Sequence, residues 1–174
     1  DLMMGLIVPQ NGKILIDGKK IQDVKSSWQK IIGCVPQEVF ILDETLKRNV
    51  AFGLPNELID VEKVNKAIEL AKLTEFKNTL NSGLETLLGE FGSRLSGGQR
   101  QRIGIARALY HNPNILIFDE ATNALDTQTE KNIINEIFSA NEDNTIIFVS
   151  HNRDNLIFCD LICEVKDRTL SRLN

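Results

Sequence analysis

Two short clusters could do chemistry in this 174-residue chain. The first is Ser96-Gly97-Gly98, which can place consecutive backbone N–H groups at the start of a helix. Two glycines let the backbone approach an anion with no Cβ in the way, Ser96 can cap the helix, and the helix N-terminus adds about half a positive charge. That is an anion site. The second is Asp119-Glu120, directly after the apolar run Ile115-Leu116-Ile117-Phe118. Such a run reads as a strand covered on both faces, as in a parallel sheet, and the carboxyl edge of that kind of sheet is where ligands bind. Two adjacent carboxylates at the end of a buried strand are costly to desolvate unless a cation or a reacting group uses them. Magnesium and a water nucleophile are the natural occupants.

The elements that must position these clusters follow from apolar spacing. The helix opened by Ser96 runs through Ile103, Ala106 and Tyr110 and stops near Asn112-Pro113, since proline cannot continue it. After Asp126, Thr127-Gln128-Thr129-Glu130 fits a capping box opening a helix whose apolar face is Ile133, Ile134, Ile137 and Phe138. Thr145 to Val149 is a second buried strand, so 114–149 forms a β-α-β unit, right-handed by expectation. Earlier, Asp60 caps a helix carrying Val61, Val64, Ile68 and Ala71, and a second short helix runs from Thr74 to Leu80, stopped near Gly83. Asp1 to Leu6 reads as the last turns of a helix closed by Gly5 and Pro9. Gly12 to Asp17 and Ile31 to Val35 read as strands, separated by the Asp17-Gly18 turn and a polar connection whose Trp28 serves packing. Leu161 to Leu170 suggests a final strand pair.

Composition excludes several classes. Apolar residues at 42% and charged ones at 25% are ordinary for a soluble globular protein. The chain is long enough for one domain, burying roughly 70% of its unfolded surface. A net charge of −4 offers no basic excess for a phosphate backbone, so no nucleic-acid partner is expected. No apolar run approaches the roughly 18 residues of a membrane span, so the chain is expected to be soluble by itself. Cys34, Cys159 and Cys163 are odd in number and have no neighbouring His, and they read as reduced, mostly buried thiols rather than zinc ligands.

Together, Leu95-Ser96-Gly97-Gly98-Gln99, the strand ending in Asp119-Glu120, and Asn123-Ala124-Leu125-Asp126 resemble the signature motif, Walker B strand and D-loop of ATP-binding cassette (ABC) ATPases. The resemblance extends to Val35-Pro36-Gln37-Glu38 as the Q-loop and to Ser150-His151, after the second buried strand, as the H-loop. Leu88-Gly89-Glu90-Phe91-Gly92 resembles the exporter X-loop. Phe40 to Gly53 resembles the exporter segment that meets the coupling helices of a membrane domain, the competing reading being that Phe40, Ile41 and Leu42 are simply packed inside. No GxxxxGK[ST] occurs; Gly12-Lys13 and Gly18-Lys19 lack its other residues.

The resemblance implies a partial ABC nucleotide-binding domain over 1–174, an α/β P-loop NTPase-type core with a mostly parallel sheet, flanking helices and a helical subdomain at about 54–94, with Walker A upstream of residue 1. It implies ATP and Mg2+ as cofactors. Asp119 and Gln37 would serve the metal, Glu120 would be the general base, His151 would touch the γ-phosphate, and Gln37 would sense the site. Ser96, Gly97, Gly98 and Gln99 would bind nucleotide held by a second, head-to-tail cassette, with Asp126 joining the two sites. The partner domains implied are that second cassette and a transmembrane domain, fused upstream. The expected function is ATP-driven export or flipping at the cytoplasmic face of a membrane, the cargo candidates being lipid-linked sugar, lipid or polysaccharide. The closing Ile162-Cys163-Glu164-Val165 segment hints at the flippases of lipid-linked sugars. Asn123 and Asn152 depart from the serine and arginine frequent in the family, which puts cross-talk between sites in doubt. A soluble ABC ATPase acting on DNA or ribosomes would carry a basic patch or inserted domain, and neither is seen. A non-hydrolysing cassette is at odds with Asp119-Glu120, His151 and the signature. Without Walker A the isolated chain is expected to be inactive and to bind ATP no tighter than about millimolar.

Overall fold

The computed structural model describes residues 1–122, 125–140, 144–150, 156–157, 159–166 and 169–173. The opening residues close like a helix end. Gly5 N donates to Leu2 O and Leu6 N to Asp1 O, at 3.0 and 3.1 Å, with Gly5 at φ 66°, the left-handed conformation that ends many helices. Next, β1 (Leu15–Ile16) and β2 (Lys19–Lys20) form an antiparallel hairpin. Its turn residues Asp17 and Gly18 both have positive φ, 49° and 80°, which matches the right-handed twist of the strands. The strand is shorter than the Gly12 to Asp17 span expected.

The polar connection read from the sequence is instead helix α1 (Ile21–Lys30). Ile21, Val24 and Trp28 line one face at i, i+3 and i+7, with Ile21 fully buried. Trp28 Nε1 donates to Met3 O at 2.7 Å and Gln29 Nε2 to Met4 O at 3.0 Å, so α1 holds the opening turn. Then come β3 (Ile32–Val35), α2 (Leu46–Val50) and α3 (Val61–Leu70). Asp60 caps α3 as expected, accepting from Glu62 N and Lys63 N at 3.0 and 3.1 Å. The short α4 (Thr74–Thr79) follows, then α5 (Gly97–Tyr110).

The second half alternates: β4 (Ile115–Asp119), α6 (Thr127–Ala140), β5 (Thr145–Val149). β3, β4 and β5 pair in parallel, in that order, with Val35 opposite Phe118 and Asp119 opposite Val149. β6 (Ile162–Lys166) and β7 (Thr169–Leu173) form the closing antiparallel pair, a few residues beyond the span expected. The cap of α6 lies one residue earlier than read. Asp126, not Thr127, accepts from Thr129 N, at 2.9 Å.

α5 organises the core, packing against α2, α3 and β3. Leu46, Ile68, Ile103, Leu116, Phe118 and Ile133 are buried in one cluster. Burying a large aliphatic or aromatic side chain is worth roughly 1.5–3 kcal/mol, so this cluster is what holds the helices on the sheet. Among the described residues, no helix is long and apolar enough to cross a membrane. Contrary to the expectation of mostly buried thiols, Cys163 is exposed and Cys159 half-buried, because β6 and the segment before it lie at the surface, and Cys34 in β3 is half-buried as well; all three are free.

Candidate functional site

Because β3, β4 and β5 are parallel neighbours, the residues that follow them emerge on one edge of the sheet. Gln37 stands two residues past β3, Glu120 one past β4, and Ser150 one past β5. Topology thus brings together residues far apart in sequence. Gln37 Nε2 donates to Glu120 Oε2 at 3.0 Å across a separation of 83 residues. Glu120 N donates to Val149 O at 3.0 Å, tying the same residue to the end of β5.

Glu120 has φ 49°, left-handed backbone that costs a residue with a Cβ about 1 kcal/mol or more. Strand pairing on one side and the buried Ala121-Thr122 on the other hold it there. Asp119 is exposed at the edge and Glu120 half-buried. Burial, and secondarily the Asp119 charge, push the Cys34 thiol above its ordinary value, so the Asp119 field reaches back into the strand beside it.

The second cluster is built within one turn. Ser96 Oγ accepts from Gln99 N at 3.2 Å, and Gln99 Oε1 accepts from Ser96 N at 2.8 Å. This is a reciprocal capping box, with glutamine in the third position. It commits Ser96 and Gln99 to each other and leaves Gly97 N and Gly98 N as the first-turn donors. Arg100 Nη1 donates to Leu95 O at 2.8 Å, steadying the approach to the helix. Gly97 and Gln37 line one open groove of about 480 Å³, with Val39, Phe40, Phe91 and Gln101 among its walls. Phe40 and Phe91 meet edge-on at 5.9 Å, 56% and 66% exposed, while Ile41 is buried. The Phe40 to Leu42 segment is therefore divided between surface and core.

Gln37, Asp119 and Glu120 thus share one edge, and Gly97 reaches the same groove as Gln37. Asp126 is exposed and caps α6; hydrogen bonds from Thr129 hold its carboxyl below the usual aspartate value. Glu90 is exposed. His151, Asn123 and Asn152 lie outside the described residues.

Three polar residues of α2 and α5 escape motif reading. Asn49 is fully buried; its Nδ2 donates to Leu42 O, Glu44 O and Thr45 O, and its Oδ1 accepts from Leu42 N at 2.9 Å. Arg107 of α5 donates to Asn49 O at 3.0 Å and lies 4.5 Å from the centre of the Phe52 ring. Burial pushes its guanidinium down to about 10. Gln101, 5% exposed, donates to Pro36 O at 3.4 Å. The available signal was a polar side chain on an otherwise apolar helix face.

The profile of the family described as ABC transporter matches residues 1–123. The ABC-type transporter fsqE of Aspergillus fumigatus is 40% identical over 93% of the chain, which spans 13% of that protein. The ATP-dependent lipid A-core flippase of Aliivibrio fischeri is 39% identical over 90% of the chain, which spans 27% of it. A solved structure, of a bacterial Atm1-family ABC exporter with ATP bound, matches 98% of the chain with a TM-score of 0.90 and 35% identity. The chain covers 30% of that one.

Proposed function

Because the chain belongs to the ABC transporter family, we propose that it supplies the ATP-hydrolysing cassette of an exporter, an α/β core with a helical arm at about 54–94. The observation that carries this reading is the hydrogen bond from Gln37 to Glu120, made where the parallel strands deliver both residues to one edge.

Phosphoryl transfer asks a protein for positioning and charge neutralisation more than for covalent chemistry. Glu120 accepts the proton of the attacking water as general base, and the Gln37 amide holds its carboxylate in place. Gly97 N and Gly98 N donate to phosphate oxygens at the N-terminus of α5, with Ser96 and Gln99 keeping that turn in shape. Those phosphates belong to nucleotide bound by a second cassette, so two chains meet head to tail across α5. Asp126 orders the start of α6 behind that interface, and His151 contacts the γ-phosphate.

The donors fit magnesium. It takes oxygen ligands and is commonly held by one or two carboxylates completed by substrate phosphates. Asp119 is an exposed carboxylate at the edge, and Gln37, whose Nε2 faces Glu120, has Oε1 left to offer. When bound, Mg2+ neutralises the charge of the phosphate oxygens.

The cassette works with a membrane domain at the cytoplasmic face of a membrane and drives export or flipping of lipid, lipid-linked sugar or polysaccharide. Similarity to the lipid A-core flippase supports the lipid reading. Transport by the reconstituted full-length protein of peptides or drugs alone would contradict that cargo. For the chemistry, Glu120→Gln in the full-length protein should lower turnover by about a hundredfold or more while an ATP-bound dimer accumulates. Undiminished hydrolysis would overturn the assignment.

A further inference from the structure

Gln101 is a buried amide on α5, 5% exposed, and its Nε2 reaches across 65 residues to Pro36 O at 3.4 Å. A buried amide without partners is costly, so a partner this distant in sequence is a structural commitment. Pro36 O belongs to the same planar peptide as Gln37 N, so holding that oxygen orients the backbone from which the Gln37 side chain departs. One helical turn further, Gly104 meets the same segment. A Cβ there would lie 2.5 Å from Val39 Cγ2, so the missing side chain is what lets Val39 lie directly on α5. Pro36 to Val39 is therefore attached to α5 at two points three residues apart.

We propose that Gln101 is a positioning residue for hydrolysis. It fixes the Gln37 loop to α5 so that the Gln37 amide stays on Glu120, and so that anion binding at the N-terminus of α5 is transmitted to the chain's own general base. The distance is short. Gly98, a donor of the first turn, and Gln101 are three residues apart, about 4.5 Å along the axis. The path runs along α5 from Gly98 to Gln101, then through Pro36 O and Gln37 to Glu120. This rests on the reading of Glu120 and Gln37 given above.

The test is a double-mutant cycle on the full-length protein: Gln101→Leu, Gln37→Ala and the pair, each assayed for kcat and KM of ATP hydrolysis and for melting temperature. Gln101→Leu should lower kcat by roughly three- to tenfold, the loss of one hydrogen bond, with KM unchanged. In the Gln37→Ala background it should have no further effect, because it acts through Gln37. Equal losses in both backgrounds, a change in KM alone, or no loss would overturn the proposal. If Gln37→Ala by itself leaves kcat unchanged, the reading of Gln37 fails first and takes this proposal with it. Gln101→Met serves as the second variant should Gln101→Leu melt early. Failure of both to fold would make Gln101 a core residue and overturn the positioning role.

Discussion

The two halves of the site are built on opposite plans. At the carboxyl edge, Gln37 and Glu120 meet across 83 residues, and a left-handed backbone at Glu120 is held by its bond to the end of β5 and by the buried Ala121-Thr122. At the start of α5, Ser96 and Gln99 are three residues apart and satisfy each other. The edge exists only when the sheet is assembled, whereas the capped turn is specified by a handful of adjacent residues. The carboxylates, where the proposed proton transfer takes place, depend on global packing, and the proposed phosphate donors depend on local geometry. Damage should therefore separate as well. Changes at the edge should alter turnover with little effect on melting, and changes in the cap should do more of the reverse.

Gly98→Asp cuts across this contrast most sharply, because it alters a proposed phosphate donor and leaves the Ser96–Gln99 cap in place. An acidic residue in the first turn favours a helix, so the melting temperature should hold. A carboxylate about 4 Å from a phosphate, at an effective dielectric near 20, costs about 4 kcal/mol, and turnover should fall by roughly a hundredfold or more. Unchanged hydrolysis would mean that the α5 terminus binds no phosphate. Gln37→Ala should come next, lowering kcat by about tenfold, because it frees one hold on Glu120 while removing an exposed side chain. A large drop in melting temperature would show the edge to be part of the scaffold instead. Ser96→Ala should do least to chemistry and most to the helix. Losing the cap costs about 1 kcal/mol. In a domain of this size that lowers the melting temperature by about 2–4 °C.

The same division governs what could be read before the fold was known. The α5 cap was legible because its partners are three residues apart, and β4 because four apolar residues in a row have few other uses. Partners distant in sequence were not legible. α1 has three apolar positions in ten residues and no capping hydrogen bond at Lys20, so nothing local marks it as a helix; the opening turn and Trp28 Nε1 on Met3 O stabilise it from outside. Asn49, Gln101 and Arg107 are spelled like ordinary polar helix residues, and their roles depend on partners such as Pro36 at 65 residues and Asn49 at 58. The α6 cap was displaced by one because Asp126 and Thr127 are both good caps and only the fold selects between them.

Asp126 gives the finest test of a purely local device. Its carboxylate accepts from Thr129, and these bonds hold its pKa below the ordinary aspartate value of about 3.9. A carboxyl whose folded-state value is depressed adds stability above the unfolded-state value, and that stability is lost as pH falls through the folded-state value. Asp126→Asn keeps a capping oxygen but cannot titrate. Melting curves of the two proteins should hold a constant offset from neutral pH to about pH 5. Below about pH 4 the parent should lose its advantage, because protonation removes the charge that the Thr129 bonds favour. Parallel curves through the acid range would mean that the charge adds nothing to the cap, and that the hydrogen bond alone starts α6.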